Sequence, residues 1–583
     1  MDNREIAHIL RETAQLLEID GAIIGRYRTY EKAAELIETM TESVAAMSAD
    51  TDKLTELPGI GDNMAAHIQE IVRTGDYFMR AKLLKKYPVT MLEVLRLQSL
   101  GPKKAAFLWS HFQAGNVDAI EKIAREGKLR DLPGFGEKTE QNIISAIEAH
   151  RRGGGRSLIN AAEEMADLVA GYIRGMGEDI LSVTFAGSLR RGKETIGDLD
   201  FIVILPPGRD SAEHVEKVIA HVLAFGAIDQ VLAHGENKVS FRSTSGMQVD
   251  VRFLRAESEG AAMLYFTGSK EHNVALRGRA LKMGYTLNEY ALTTLKGGKV
   301  AASRTEEEIY RKLKLDYIDP QLRENTGEIE AAEKHTLPRL VNLEDIRGDL
   351  QMHTTASDGK NSIEQMAAAA QELGYEYIAL TDHSKALAMV RGMDEKRTLE
   401  QIKKIHAAQK KFPKIRLLTS IEVDILKDGL LDLHNDVLAQ LNVVVASVHS
   451  HMRMERAAMT DRLLRALENP YLQILAHPTG RLLLRREPSE YDMELILDTC
   501  KRFGVVVECN SYPDRLDFRD THLRMAKERG LKVVISTDSH STGNLLLMKY
   551  GVITARRAWL EPRDVINTLP LAEMLASLRP KRG

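Results

Sequence analysis

The sequence predicts a multidomain chain: an all-α N-terminal region, a mixed α/β middle and a C-terminal α/β barrel. Three observations carry that expectation. Residues 1 to 150 read almost entirely as helix punctuated by glycine turns. The stretch from about 157 to 317 alternates helix and strand. Beyond residue 346, apolar strands that end in His, Asp or Glu alternate with helices. That alternation is the pattern of a parallel barrel whose polar strand ends gather at one mouth.

A length of 583 residues is too great for one core and fits about three to four domains. With 44% hydrophobic and 28% charged residues the composition is that of an ordinary globular protein. No stretch approaches the roughly 20 apolar residues of a membrane span, and no signal-peptide pattern opens the chain. Cys500 and Cys509 lie in apolar surroundings without metal-type spacing, which predicts reduced core thiols and a cytoplasmic protein. The net charge of −3 means that any nucleic-acid binding must use local basic patches.

Each element of the helical region has a reason. Three turns look alike: Leu57-Pro58-Gly59-Ile60-Gly61, Ser99-Leu100-Gly101-Pro102-Lys103 and Leu132-Pro133-Gly134-Phe135-Gly136-Glu137-Lys138. Each opens an amphipathic helix. Glycine lets backbone approach a phosphate, and a helix N-terminus offers unpaired N–H donors. The pattern resembles the helix-hairpin-helix element, which grips DNA backbone without reading sequence. Gly59, Gly61, Gly101, Gly134 and Gly136 are the candidate contacts.

The middle segment holds the run Gly187-Ser188-Leu189-Arg190-Arg191-Gly192-Lys193-Glu194-Thr195-Ile196-Gly197-Asp198-Leu199-Asp200. Alternate residues of a strand share a face, so Asp198 and Asp200 converge on one spot. Asp250, in Gln248-Val249-Asp250-Val251-Arg252-Phe253, supplies a third carboxylate on another alternating strand. Three converging carboxylates suit two hard divalent ions, and such a pair clamps the oxygens of a phosphoryl transfer.

Together with Tyr265-Phe266-Thr267-Gly268-Ser269, these runs resemble the family X DNA polymerases, the group containing DNA polymerase beta. The resemblance implies catalytic Asp198, Asp200 and Asp250 with Mg2+ or Mn2+, and Ser188, Arg191 and Gly197 at the nucleotide triphosphate. It also implies Tyr265, Phe266 and Gly268 at the sugar, Asn273 at the incoming base, and Arg252 and Arg277 toward template DNA. Asn288 and Glu289 match the thumb region. Ile196 stands where polymerase beta has a phosphate-contacting serine, which would weaken nucleotide affinity. Polymerase beta also removes deoxyribose phosphate with a Schiff-base lysine. In the matching run that position is His67, supporting positions are Asn63 and Arg26, and Tyr30 and Lys32 are kept. A histidine cannot form that iminium, so DNA binding without lyase chemistry is expected there.

In the last part the strand ends place His353, His383, Glu422, His449, His477, Asp538 and His540 at one mouth. The segment is similar to the polymerase-and-histidinol-phosphatase (PHP) domain, a distorted barrel with two or three metal ions. Matching residue by residue adds Asp358 to those seven as metal ligands. One departure is visible. The family opens with His-x-His, whereas this chain has Gln351-Met352-His353, so one metal position is expected to be weaker or rearranged. Mixed His and carboxylate donors suit Mn2+, Zn2+ or Fe2+ without choosing among them. Arg481, Arg485 and Arg486 follow His477 and are candidates for substrate phosphate, or else an exposed basic loop.

The resemblance then covers essentially the whole chain. The expected fold class is a helix-hairpin-helix N-terminal region, an α/β nucleotidyltransferase palm and thumb, and a PHP-type barrel. Expected boundaries are 1–85 and 86–156 for two helical DNA-binding domains, 157–262 for the palm and 263–317 for the thumb. A linker follows over 318–345, and the PHP domain over 346–575. The expected activity is template-dependent filling of short gaps in DNA repair. A barrel 3′–5′ exonuclease, with abasic-site endonuclease and 3′-phosphatase activity, accompanies it. Partners would be gapped or nicked DNA and dNTPs, with no membrane and a monomeric state. The rivals are a non-templating nucleotidyltransferase, a DNA-end scaffold with inactive centres, and a barrel acting on small phosphate esters.

Overall fold

The computed structural model describes residues 3–39, 44–95, 97, 100–130, 132, 134–152 and 155–581. Ser99 and Pro133 of the turn runs lie outside them. The chain divides into two compact units. The first comprises Met1–Leu189, Thr195–Thr267 and Arg277–Lys312, the second Arg190–Glu194, Gly268–Leu276 and Leu313–Gly583.

In the first unit one apolar cluster runs from Ile6 to Ile147, so the two expected helical domains share a core. The three hairpins have a common geometry. Ile60, Leu100 and Phe135 each donate a backbone N–H three residues back, at 3.0, 3.2 and 3.1 Å. Their side chains are buried, 3%, 1% and 5% exposed, and pin the turn to the core. The next residue is in each case an exposed glycine (Gly61, Gly101 or Gly136) at the start of Asp62–Thr74, Pro102–Phe112 or Gly136–Arg152. An apolar anchor thus faces inward while a helix N-terminus faces water. Gly59 (φ +83°) and Gly134 (φ +82°) add a left-handed step in the first and third hairpins.

A five-stranded sheet follows, with β1 (Ser182–Phe185), β2 (Asp198–Leu205), β3 (Ile228–Gly235), β4 (Lys238–Ser243) and β5 (Gln248–Arg255) in the order β1-β2-β5-β4-β3. Only β2 and β5 pair in parallel; the other neighbours are antiparallel. Val203, Phe201, Val249 and Val251 are fully buried, which leaves the aspartates to cluster toward the strand starts.

The second unit is built on seven parallel strands: β6 (Gly348–Met352), β7 (Tyr377–Leu380), β8 (Arg416–Asp424), β9 (Val443–Ser447), β10 (Ile474–Leu475), β11 (Val506–Asn510) and β12 (Val533–Ser536). They are hydrogen-bonded in chain order, and a parallel bridge between Met352 and Ser539 brings the two end strands together. One apolar cluster (Leu350, Ala379, Leu418, Val445, Val506 and Val534 among it) lies on one face with Met574 and Leu578. A larger one on the other face packs the flanking helices. β6 carries an irregularity between Asp349 and Met352. The buried Asp349 carboxylate bonds the Gln351 N–H (3.3 Å), the Thr537 N–H (3.2 Å) and the Thr537 hydroxyl, which fixes the bulge.

The stretch 318–345, read above as a linker, is folded: it contains Pro320–Leu322, Glu328–Glu333 and Leu343–Asp345, and buries Leu322, Arg323 and Glu328. Glu328 accepts the Asn325 and Thr326 amides (2.8 and 2.7 Å) and pairs with His272 at 2.7 Å, both side chains being 0% exposed. Burial raises the Glu328 carboxyl, but the His272 contact and the amides outweigh it and hold it below its usual range. Cys500 and Cys509 are free and buried, and burial pushes the Cys500 thiol up to about 12. No described helix is long and apolar enough to cross a membrane. Glu328→Gln leaves His272 without its counter-charge and is expected to destabilise the second unit by about 3 kcal/mol, read as a lower urea midpoint.

Candidate functional sites

The parallel register of β2 and β5 sets Asp200 directly opposite Asp250, and Asp198 opposite Gln248. Asp198 is exposed, Asp200 half-buried and Asp250 buried, so the three carboxylates grade from water into the sheet. Asp250 accepts the Ser240 hydroxyl and lies 3.2 Å from Lys238 Nζ. Burial, then the charges of Asp198 and Asp250, push the Asp200 carboxyl up to about 7. Gly187 (φ +61°) is required twice: its backbone is left-handed, and a Cβ there would run into the Asp200 carboxylate. The next residue, Ser188, has a buried Oγ with no hydrogen-bond partner among the described residues. A Cβ at Gly197 would lie 3.2 Å from the Arg156 guanidinium.

Arg252 stacks on Phe266 (4.3 Å from guanidinium to ring centre), and its charge opposes the rise at Asp200. Arg252, expected at template DNA, thus lies beside the carboxylates. Tyr265 packs edge-on against Phe266 at 5.0 Å, and Arg277 is exposed. Arg191, Gly268 and Asn273 fall in the second unit. There Arg191 Nε lies 3.1 Å from Glu324, and a Cβ at Gly268 (φ +72°) would come within 3.0 Å of the Arg191 guanidinium. Asn273 is half-buried on the helix Lys270–Lys282. In the helical region His67 accepts or donates at 3.2 Å with the Tyr30 hydroxyl and packs on Tyr77 at 4.9 Å; burial lowers its pKa.

The barrel mouth brings together all eight residues matched from the sequence. His353, Asp358, His383 and His540 offer donor atoms within 4.8 Å of one another, as do His383, Glu422 and His449, and His353, Glu422 and Asp538. His477 Nε2 lies 2.8 Å from Glu422 Oε1. Glu422 is the hub: Oε1 faces His449 (3.4 Å) and His477, while Oε2 faces His353 (3.4 Å) and His383 (3.2 Å). Burial raises its carboxyl, yet His383, His449 and His477 hold it well below the usual range. Asp358 raises His540 to about 9 against the effect of burial. His477 (φ +27°) and Asp538 (φ +54°) leave their strands in strained backbone, which turns their side chains to the mouth.

Supporting groups escaped the sequence reading because nothing in their spacing marks them. Asp424 bonds His449 Nδ1 at 3.0 Å, which orients the ring with Nε2 toward Glu422. Asp382 accepts the amides and hydroxyls of Thr354 and Ser357 and so shapes the loop that carries Asp358. Asn510 donates to Asp538 at 3.1 Å. Gln351 is 1% exposed, and neither of its amide atoms has a partner among the described residues. His353 Nδ1, His383 Nδ1, Glu422 Oε2 and His477 Nδ1 likewise make no hydrogen bond among the described residues, although His383 Nδ1 and Glu422 Oε2 face each other as an ion pair at 3.2 Å. Buried polar atoms left unpaired in this way fit divalent ions held by mixed nitrogen and oxygen donors. His451 is exposed and outside these groups. Arg481, a candidate for substrate phosphate, is 5% exposed and holds the carbonyls of Arg515 and Leu516 and the Glu194 carboxylate. It is a structural cation.

Between its unfolded value near 3.8 and about 7, Asp200 binds more protons in the folded protein, so metal-free stability falls as pH rises through that window. Asp200→Asn is therefore expected to stabilise the metal-free protein by about 1–2 kcal/mol at pH 8 and hardly at all at pH 4, measured by urea unfolding in chelator. Against known families, residues 160–252 match the DNA polymerase beta palm and 262–324 its thumb. Residues 1–77 match a helix-hairpin-helix domain, 91–149 a SAM-like helix-hairpin-helix tandem, and 349–511 the PHP domain. The chain is 34% identical over 581 residues to the DNA polymerase/3′-5′ exonuclease PolX of Bacillus subtilis (strain 168), covering 99% of this chain and 100% of that one. DNA polymerase lambda of Rattus norvegicus is 24% identical over 51% of this chain and 52% of its own. A protein named as a phosphatase in Thermoanaerobacter sp. (strain X514) is 24% identical over 38% of this chain and 89% of its own. With palm, thumb, hairpin and PHP matches in one order and a relative aligned from end to end, the chain belongs to the PolX family of family X DNA polymerases that carry a PHP domain.

Proposed function

We propose that this protein fills short gaps in DNA as a template-dependent polymerase and trims DNA 3′ ends with its barrel. The observation that carries the reading is the palm cluster, in which Asp200 stands opposite Asp250 with its carboxyl near neutrality. A site that strains to stay ionised without cations is suited to take them up with a nucleotide triphosphate. Asp198, Asp200 and Asp250 would hold Mg2+ or Mn2+, which would neutralise triphosphate charge and lower the pKa of the primer 3′-hydroxyl. Ser188, with its unpartnered buried hydroxyl on the short helix Gly187–Arg190, and Gly197, just before β2, are assigned to the triphosphate, with Arg191 close to Ser188 in sequence. Tyr265, Phe266, Gly268 and Asn273 are assigned to sugar and base, Arg252 and Arg277 to DNA charge. The exposed glycines Gly59, Gly61, Gly101, Gly134 and Gly136 would grip phosphates of gapped or nicked DNA.

In the barrel His353, Asp358, His383, Glu422, His449, His477, Asp538 and His540 would hold two or three ions of Mn2+, Zn2+ or Fe2+, with Glu422 shared between two positions. The same centre is assigned abasic-site and 3′-phosphate hydrolysis. The two buried reduced thiols suit a cytoplasmic compartment, and a monomer is the working state.

The test uses the full chain with labelled, one-nucleotide-gapped DNA and Mn2+, with and without dNTPs. Growth by the templated base with dNTPs and shortening without them is the expected result. Asp200→Asn should cost at least about 10³-fold in extension, and Glu422→Gln a similar factor in shortening, each lesion confined to its own site. Untemplated addition would replace the reading by a non-templating transferase, and inertness under both conditions by a DNA-end scaffold.

A further inference from the structure

The loop after β11 is largely buried and firmly held. Asp517, fully buried, accepts the Thr479 N–H, the Thr479 hydroxyl and the Gly480 N–H at 3.0, 2.9 and 2.9 Å. The Asp517 carbonyl takes the Asn510 N–H at 2.7 Å, and Phe518 is buried beside it. Between these anchors sits Arg515. Its carbonyl accepts from Arg481 Nε at 2.8 Å, and its N–H donates to the Tyr512 carbonyl at 2.8 Å. With both backbone groups fixed, the side chain leaves the loop in one direction, toward the metal-ligand cluster.

There Arg515 Nε comes within 3.5 Å of Asp538 Oδ2, while Asp538 Oδ1 faces His353 Nε2 at 3.0 Å. The Arg515 side chain is 22% exposed, so it spans from the cluster to water. Its two Nη atoms have no hydrogen-bond partner among the described residues. A fixed guanidinium beside a centre that gathers divalent cations is repelled by them, because Asp538 must give its charge to the metal. The arrangement becomes favourable when an anion is placed between cation and metals. A guanidinium fork matches two phosphate oxygens.

We propose that Arg515 is a substrate-binding residue of the barrel, its Nη atoms donating to the non-bridging oxygens of the DNA phosphate being cleaved. The assignment rests on the nuclease reading above. It moves the role from Arg481, Arg485 and Arg486, which the sequence nominated, to a residue 34 positions beyond Arg481 that shares their neighbourhood only in the fold. Because Arg515 also steadies Asp538, a purely structural role is the competing explanation, and the test separates the two.

Mn2+-loaded full-length protein is compared with Arg515→Ala and Arg515→Lys on labelled single-stranded DNA, with bound Mn2+ measured on each preparation. Arg515→Ala is expected to lose about 100-fold in kcat/KM at unchanged metal content, and millimolar guanidinium to restore about tenfold of it. Arg515→Lys should recover little, since an ammonium lacks the fork. Calorimetric affinity for inorganic phosphate should fall about tenfold or more in Arg515→Ala. Metal content that falls in step with activity, or activity within about threefold of the parent, would overturn the assignment. If the parent protein itself fails to shorten DNA, the nuclease reading fails, and phosphate affinity alone decides Arg515: an unchanged value sinks it.

Discussion

A carboxylate taken wholly out of water must be neutralised, and Glu422 is the point at which this protein meets that demand. Its side chain is 0% exposed and surrounded by the imidazoles of His353, His383, His449 and His477. Desolvating one such ion costs several kcal/mol, far more than any single neutral contact returns. The neutralising groups must therefore arrive from several strands at once, which ties the register of the parallel sheet to the site. Asp424, at the end of β8, and Asp382, in the loop after β7, then fix the rings and turns that deliver them. The fold around the mouth is in this sense a device for assembling positive or metal-ready groups around one buried charge.

The palm meets a similar demand in the opposite way. Among the described residues its three carboxylates have Lys238 and Arg252 beside them, and Asp200 is pushed up where Glu422 is held down. Repulsion there is left standing in the metal-free protein. Oxygen-only donors with surplus negative charge favour hard ions that exchange readily with water, whereas the nitrogen-rich barrel favours firmer binding of transition ions. On the proposed reading, two metal chemistries in one chain would follow from how each cluster balances charge.

Much of this was legible in the sequence because it rests on local spacing. Asp198 and Asp200 share a strand face, and the barrel ligands end successive apolar strands; both are short-range patterns. Each glycine turn likewise shows its helix start. What was not legible depends on distant pairings. The Asp200–Asp250 register, the common core joining Ile6 to Ile147, and the His272–Glu328 pair that orders the supposed linker all join residues far apart in the chain. A stretch rich in charge, such as 318–345, reads as solvated until its buried partner is known. Arg481 misled for the same reason: position after a ligand suggests a substrate contact, but its hydrogen bonds are spent on loop carbonyls.

Gln351 shows how far a sequence departure can be followed. The bulge that Asp349 and Thr537 hold in β6 leaves this side chain buried with both amide atoms unpaired, a state that costs about 1–3 kcal/mol when nothing answers it. Glutamine and neutral histidine carry the same zero charge, so the exchange leaves the balance around Glu422 and Asp538 intact. What changes is the donor: an amide oxygen is harder than an imidazole nitrogen. A position served by that oxygen would be shifted from Zn2+ toward Mn2+ or Mg2+ without any change in the number of carboxylates. On the proposed metal reading the departure would be one of metal preference at a single position, while the hub of His353, His383, His449 and His477 around Glu422 is untouched.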